Sequence, residues 1–464
     1  MVPETVHHFI GGQQARSTYG KTFGAADPAT GQDYARVAVG LAADVNNAVR
    51  AALIAFETGP WPSLPAPERA GALNAIADAI DARAADIASA EVLGTGLPLT
   101  QAAEQAARAA EQFRRAARLV PDRPVSDLPA APGPAGYVVR RPAGVAGVIT
   151  SWRTPFLAQA REVAPALAAG CTVVLSPDVW APLPAALLAE ITVKAGLPDG
   201  VLNVVHGTGD WRGNGDGART DVPDALAAHP HVARLSPAAG TADSPGLVFA
   251  DADLDRAADS VLFGALAVNG QRRTATSAVL AERPVYDALV SRLAAGARRI
   301  RVGAPSDPST ELGPLVHPEQ LERVSSYVRL GVREGARLAA GGRRPAGLAD
   351  GNYLEPTVLA DVAPSMRVFG AQACGPVLRV TPFGTDEEAV SLANAVPRAA
   401  AAYLWTSDPE RARRVAPAIE SAATWVNADN ADDLPEPPGG IDFYTRSRTV
   451  HLAVGDAPVP RLGA

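Results

Sequence analysis

A change of rhythm near residue 144 sets the terms for this fold. From there, short apolar runs alternate with helical patterns: 144–150 and 171–177 as strands, 156–168 and 184–195 as helices, then a third strand within 196–207. An apolar run of strand length, bounded by turn residues and followed by an amphipathic stretch, predicts a strand buried on both faces. Repeated, the pattern predicts βαβ units and a parallel sheet. The rhythm resumes with strand, turn and helix over 246–266, a strand at 277–282, helices at 284–300 and 318–334, and strands at 376–383, 400–405 and 423–427. Before residue 144 the chain is mostly helical, over 43–58, 66–92 and 100–118, with Asp44 and Pro67-Glu68 as start signals. A proline-rich stretch at 121–134 then reads as a connection at a domain edge. The final pattern, 445–455, alternates polar and apolar residues and predicts an exposed or partner-covered strand.

At 464 residues the chain is long enough for two or three domains. A formal net charge of −7 argues against a nucleic-acid partner, which requires a basic face. The apolar runs are too short to span a bilayer, and no signal segment opens the chain, so no membrane partner and a cytoplasmic location are expected. Two cysteines, Cys171 and Cys374, form neither a disulfide framework nor a cysteine metal site. No H-E-x-x-H motif or Cys/His cluster occurs among the seven histidines, so no metal is expected. The glycine-rich 209–220 segment lacks the Lys-Ser/Thr ending of a phosphate loop and reads as a surface loop.

The order of motifs resembles the NAD(P)-dependent aldehyde dehydrogenase superfamily across nearly the whole chain. It is carried by FIGG (9–12), DPATG (27–31), RRPAGVAGVITSW (140–152), PALAAGCTVVLSP (165–177), AGLPDGVLNVVHG (195–207), LVFADADLDRAA (247–258), NGQ (269–271), LGPLV (312–316), GNYLEPTVL (351–359), GPVLRVTPF (375–383) and TWVN (424–427). The resemblance implies an α/β fold with two Rossmann-like domains and a small β oligomerisation element. The cofactor-type domain would take residues 1–125 and 145–245, the catalytic-type domain 246–428, and the oligomerisation element 126–144 and 429–464.

It also implies a set of functional residues, and here the chain departs. The thiol of a GQxC pattern would fall at Arg273, and a guanidinium cannot replace that nucleophile. The glutamate base would fall at Ala239, and no glutamate occurs between Glu190 and Glu282; Asp243 is a short-reaching substitute. The asparagine that donates to the oxyanion is Arg153, within Ser151-Trp152-Arg153. Arg153 and Arg273 either plug the pocket or pair with acids, or else form an anion site. The cofactor-contacting positions Ser176, Gln372 and Trp152 are altered, and 234–245 is too short for the helix that faces the pyrophosphate. Asp178 keeps an acidic residue near the end of the second strand. Cys171 and Cys374 read as small buried apolar residues. The shortened segment after TWVN removes part of the catalytic funnel, while the 445–455 strand is kept.

These substitutions predict a catalytically silent member that has lost NAD and NADP binding. It would act as a structural or regulatory subunit in a homodimer, a homotetramer, or a hetero-oligomer with an active aldehyde dehydrogenase. The alternatives are an enzyme of altered chemistry using an arginine-lined anion site, and a weak NAD(P)-dependent aldehyde oxidoreductase.

Overall fold

A computed structural model describes residues 2–120, 125–127, 135–207, 222–236, 243–272, 274–396, 399–428 and 440–452. The alternation after residue 144 produces two α/β sheets. The first has six strands in the order Val232–Ser236, Val145–Ile149, Thr172–Ser176, Leu202–Val204, His8–Ile10 and Gln13–Ala15. Its first four strands are parallel, and the two N-terminal strands add antiparallel. The second sheet orders Arg337–Ala340, Thr357–Ala360, Val377–Phe383, Ala278–Glu282, Pro245–Val248, Ala402–Trp405 and Thr424–Val426, all parallel except the first strand.

The reason for these strands is legible in their burial. All five residues of Thr172–Ser176 and all four of Pro245–Val248 are buried, as strands covered by helices on both faces must be. Helices Pro155–Ala168 and Pro182–Lys194 pack against the first sheet, and each begins with proline, whose missing N–H costs nothing in a first turn. Helices Leu254–Leu266 and Tyr286–Arg299 cover one face of the second. A third, antiparallel sheet joins Thr445–Leu452 to Ala135–Pro142 and Val125–Asp127.

Two local expectations change. The pattern read as one helix over 66–92 is two, Ala66–Ala82 and Ala84–Thr95, broken at Arg83 (φ −112°, ψ 14°) with no proline or glycine to announce it. Asp44 does not start its helix. It lies in the first turn of Ala42–Thr58 and accepts the Leu41 N–H at 2.9 Å and the Thr18 N–H at 3.0 Å. It thus satisfies a donor that the helix itself leaves unpaired.

Candidate functional site

In the first sheet the strand order reverses beside Val145–Ile149. The chain steps from there to Thr172–Ser176 and Leu202–Val204 on one side, and returns to Val232–Ser236 on the other. In open α/β sheets, ligands bind outside the carboxyl ends of the strands at such a switch point. Thr150, the first residue beyond that strand end, is buried, and its Oγ1 has no hydrogen-bond partner among the described residues. Ser176, at the neighbouring strand end, is also buried.

The next residues form the wall of the cleft. Trp152 lies 5.8 Å from Trp180 between ring centroids, and Trp180 stacks on His317 at 5.0 Å. Arg153 follows and is 9% exposed; its guanidinium lies over the Trp152 ring, 4.6 Å from the centroid. Its Nη2 donates to Cys374 Sγ at 2.6 Å, while its Nε has no partner among the described residues. Burial pushes the Asp178 carboxyl up to about 6, against the opposing pulls of the Trp180 N–H and the Arg153 charge.

Cys374 arrives from the other α/β sheet, three residues before Val377–Phe383. It is 5% exposed and sits at φ +57°, unusual for a residue with a side chain. Gln320 Nε2 fixes it by donating to its carbonyl at 2.7 Å. The next residue, Gly375, lies so close to Gly270 that a Cβ on Gly270 would collide with the Gly375 carbonyl. Only glycine permits that approach. The loop bearing Gly270 is itself pinned: Asn269 Nδ2 donates to the Gly96 and Pro314 carbonyls, each at 2.9 Å, and Asn269 Oδ1 accepts the Gly313 N–H at 2.8 Å. Thr154, Val268, Asn269 and Cys374 are four of six described residues other than glycine with positive φ, so backbone strain gathers at this cleft.

Of the positions singled out in the sequence, Arg153, Trp152 and Ser176 lie at the carboxyl end of the first sheet. Gln372 lies two residues before Cys374, and its carbonyl accepts from Arg323 at 3.4 Å. Arg273, Ala239 and the 209–220 loop lie outside the described residues, as does most of the segment between TWVN and the final strand. Asp243, weighed as a substitute base, is instead locked in a buried ion pair with Arg379, 2.5 Å between Oδ2 and Nη2. Cys171 fills the core as expected, its Sγ donating to the Tyr444 carbonyl at 3.2 Å, and burial pushes its thiol up. Among the described residues no group of His, Cys, Asp or Glu could hold a metal ion, and no helix is long and apolar enough to cross a membrane.

Sequence reasoning missed Glu91. It is fully buried, accepts the Phe156 N–H at 2.8 Å at the start of Pro155–Ala168, and is pushed up to about 8 by burial. Its folded pKa therefore lies above the unfolded value of 4.5, and its contribution to stability is present below 4.5 and lost as pH rises to about 8. Glu91→Gln keeps the acceptor and removes the titration. Urea midpoints measured at pH 6.5 and above about 8, where His206 no longer titrates, are expected to differ less in the variant; an unchanged pH slope there would show that Glu91 is not the titrating group.

Known proteins share this fold. The family model described as "Aldehyde dehydrogenase family" matches residues 15–242 and 225–443. The chain is 38% identical to 5-carboxymethyl-2-hydroxymuconate semialdehyde dehydrogenase of Escherichia coli, covering 94% of this chain and 96% of that protein. It is also 38% identical to 2-hydroxymuconic semialdehyde dehydrogenase of Pseudomonas sp. (strain CF600), covering 96% and 99%. The crystal structure of HpcC from Thermus thermophilus superposes with a TM-score of 0.92 at 38% identity, covering 99% and 95%. An NAD+ complex of an aldehyde dehydrogenase from Bacillus cereus superposes with a TM-score of 0.92 at 29% identity, covering 97% of each chain.

Two expectations are overturned by these findings. A catalytically silent subunit does not accord with such identity, over almost full length, to proteins named as semialdehyde dehydrogenases. Loss of nucleotide binding does not accord with near-complete superposition on an NAD+ complex. The physical reason lies in the scaffold, which outlasts changes at single positions. The switch point in the strand order and the pinned 269–271 loop are both present, and Arg153 donates to the Cys374 sulfur beside them.

Proposed function

Because the chain belongs to the aldehyde dehydrogenase family, we propose that it oxidises a small aldehyde bearing a carboxylate, with NAD as the hydride acceptor. The observation that carries this reading is 38% identity, over 94% of the chain, to an enzyme whose name specifies a carboxymethyl-substituted semialdehyde.

The residues present fit the cofactor. Thr150 offers a buried hydroxyl, without a partner among the described residues, at the switch point; a nucleotide's polar atoms satisfy such a group. Ser176, Trp152 and Gln372 are the other positions that would hold it. When bound, NAD supplies the acceptor for the aldehyde hydrogen. The chain's own residues bind and orient the substrate. Arg153 presents a cation held over the Trp152 ring, suited to a carboxylate or to a developing oxyanion. We further infer a homodimer or homotetramer assembled through Thr445–Leu452, an edge strand of its sheet among the described residues.

The test is formation of NADH by the purified chain with a panel of carboxylated semialdehydes, alongside calorimetric titration of NAD+ and NADP+. Turnover with binding is expected. No turnover across the panel, together with no binding of either nucleotide, would sink the reading. Native mass measurement addresses assembly, for which a monomer would be the contrary result.

A further inference from the structure

We propose that Cys374 is the nucleophilic thiol of this cleft and that Arg153 is its partner cation. The choice of an aldehyde as the electrophile rests on the function proposed above; the reactivity of the thiol does not.

Three independent observations converge on this pair. The first is contact across the cleft: Arg153 follows a strand of one α/β sheet, Cys374 precedes a strand of the other, and Nη2 meets Sγ at 2.6 Å. Reactive cysteines sit beside cations because the thiolate is the nucleophile and a positive neighbour favours it. The second is that Arg153, nine-tenths buried, keeps its Nε without a partner among the described residues. A buried guanidinium N–H is costly to leave unpaired, so the site is built to donate to something more than the sulfur. The third is that the thiol is positioned against backbone preference. Cys374 is held at φ +57° by the hydrogen bond from Gln320 and by the abutment of Gly375 on Gly270. A cysteine serving only as core filling needs no such placement, and Cys171 shows the contrast. It is fully buried, its sulfur donates to a backbone carbonyl, and the arginine charges near it (Arg69, Arg234 and Arg446) act through space, with no guanidinium hydrogen-bonded to the sulfur among the described residues.

The step follows from that geometry. The Cys374 sulfur adds to the aldehyde carbonyl carbon; the S–C bond forms as the C=O π pair moves onto oxygen. The thiol hydrogen ends on that oxygen through solvent, giving a hemithioacetal with no oxidant required. Arg153 turns its N–H groups from the sulfur to the carbonyl oxygen as negative charge develops there.

The experiment is timed alkylation of the native chain with iodoacetamide, read by peptide mass. Cys374 is expected to label at least about tenfold faster than Cys171, and Arg153→Leu to slow Cys374 by about tenfold, the worth of a hydrogen bond to a charged group. A saturating carboxylated semialdehyde should protect Cys374, whereas the corresponding carboxylic acid should not. Arg153→Lys, which keeps the charge, should restore part of the labelling rate and guards against a folding defect in the leucine variant. Labelling of Cys374 no faster than Cys171, or no protection by the aldehyde, overturns the proposal. NADH turnover unchanged in Cys374→Ser would also overturn it while leaving the oxidoreductase reading intact. Protection by the aldehyde without any NADH turnover would support the thiol and count against the oxidoreductase.

Discussion

Asp243→Asn is expected to destabilise the chain by about 3–5 kcal/mol, because it leaves the Arg379 guanidinium buried without its counter-ion. Both side chains are almost wholly buried. Asp243 Oδ2 accepts from Arg379 Nη2 at 2.5 Å and Oδ1 accepts from the Ser277 hydroxyl, while Arg379 Nη1 also reaches Tyr327 at 3.5 Å. Asparagine preserves the shape and one acceptor but not the charge. Removing a single partner of a buried pair costs far more than removing both. The double variant Asp243→Leu with Arg379→Met should therefore recover much of the loss. Urea midpoints decide the matter. A single variant within about 1 kcal/mol of the parent would show that the pair does not hold these strands together.

The second large effect is on pH dependence. His206 is fully enclosed beside His8, their rings stacked at 6.0 Å, and neither His206 ring nitrogen has a partner among the described residues. Burial first, and then the charges of His8 and His7, push it down to about 3 from 6.5. The groups around it are His7, His8 and, beyond His8, Asp44 at 3.9 Å from the His8 Nε2. The folded pKa lies below the unfolded one, so between 6.5 and 3 the unfolded chain binds the extra proton. Stability from this group is present above 6.5 and lost as pH falls, on the order of 5 kcal/mol across the window. Glu91 works in the opposite direction between 4.5 and about 8. The two slopes oppose each other between 4.5 and 6.5. His206→Leu should therefore make stability rise as pH falls through that interval, and Glu91→Gln should make it fall. Parallel urea-midpoint curves for the parent and His206→Leu would remove His206 from the account.

Most of the fold was legible because its strands are buried on both faces. The apolar run ending at Leu175 and the one beginning at Leu247 leave no solvent-facing alternation to confuse them with edge strands. Thr172, the polar residue that opens the first of these strands, fits the same account. Its hydroxyl donates to the Ala52 carbonyl at 2.9 Å, so it is satisfied inside the core. The break at Arg83 was not legible, since neither proline nor glycine marks it.

The candidate site was only half legible. Arg153 could be placed in the cleft by its position after Trp152, but its meeting with Cys374 spans 221 residues of sequence and follows from how the two α/β sheets face one another. Asp243 shows the same limit. Its acidic side chain suggested a base, whereas its partner Arg379 lies 136 residues away and converts it into a fixed counter-ion. Glu91 gave no signal at all, because an acidic residue within an alanine-rich helix ordinarily faces water.

The pairing of Thr445–Leu452 with Ala135–Pro142 bears on how the chain is made. All eight residues of the later strand find partners in the earlier one, and Tyr444, just before it, is buried with its carbonyl accepting the Ala143 N–H at 2.9 Å. A chain emerging from the ribosome presents Ala135–Pro142 roughly 300 residues before its partner exists, at about 5–20 residues per second. For that interval the earlier strand has an open edge, the kind of surface that invites pairing with another chain. Synthesis must therefore run through Leu452 before the Ala135–Pro142 edge can be covered, and a nascent chain stalled short of Thr445 would keep that edge exposed.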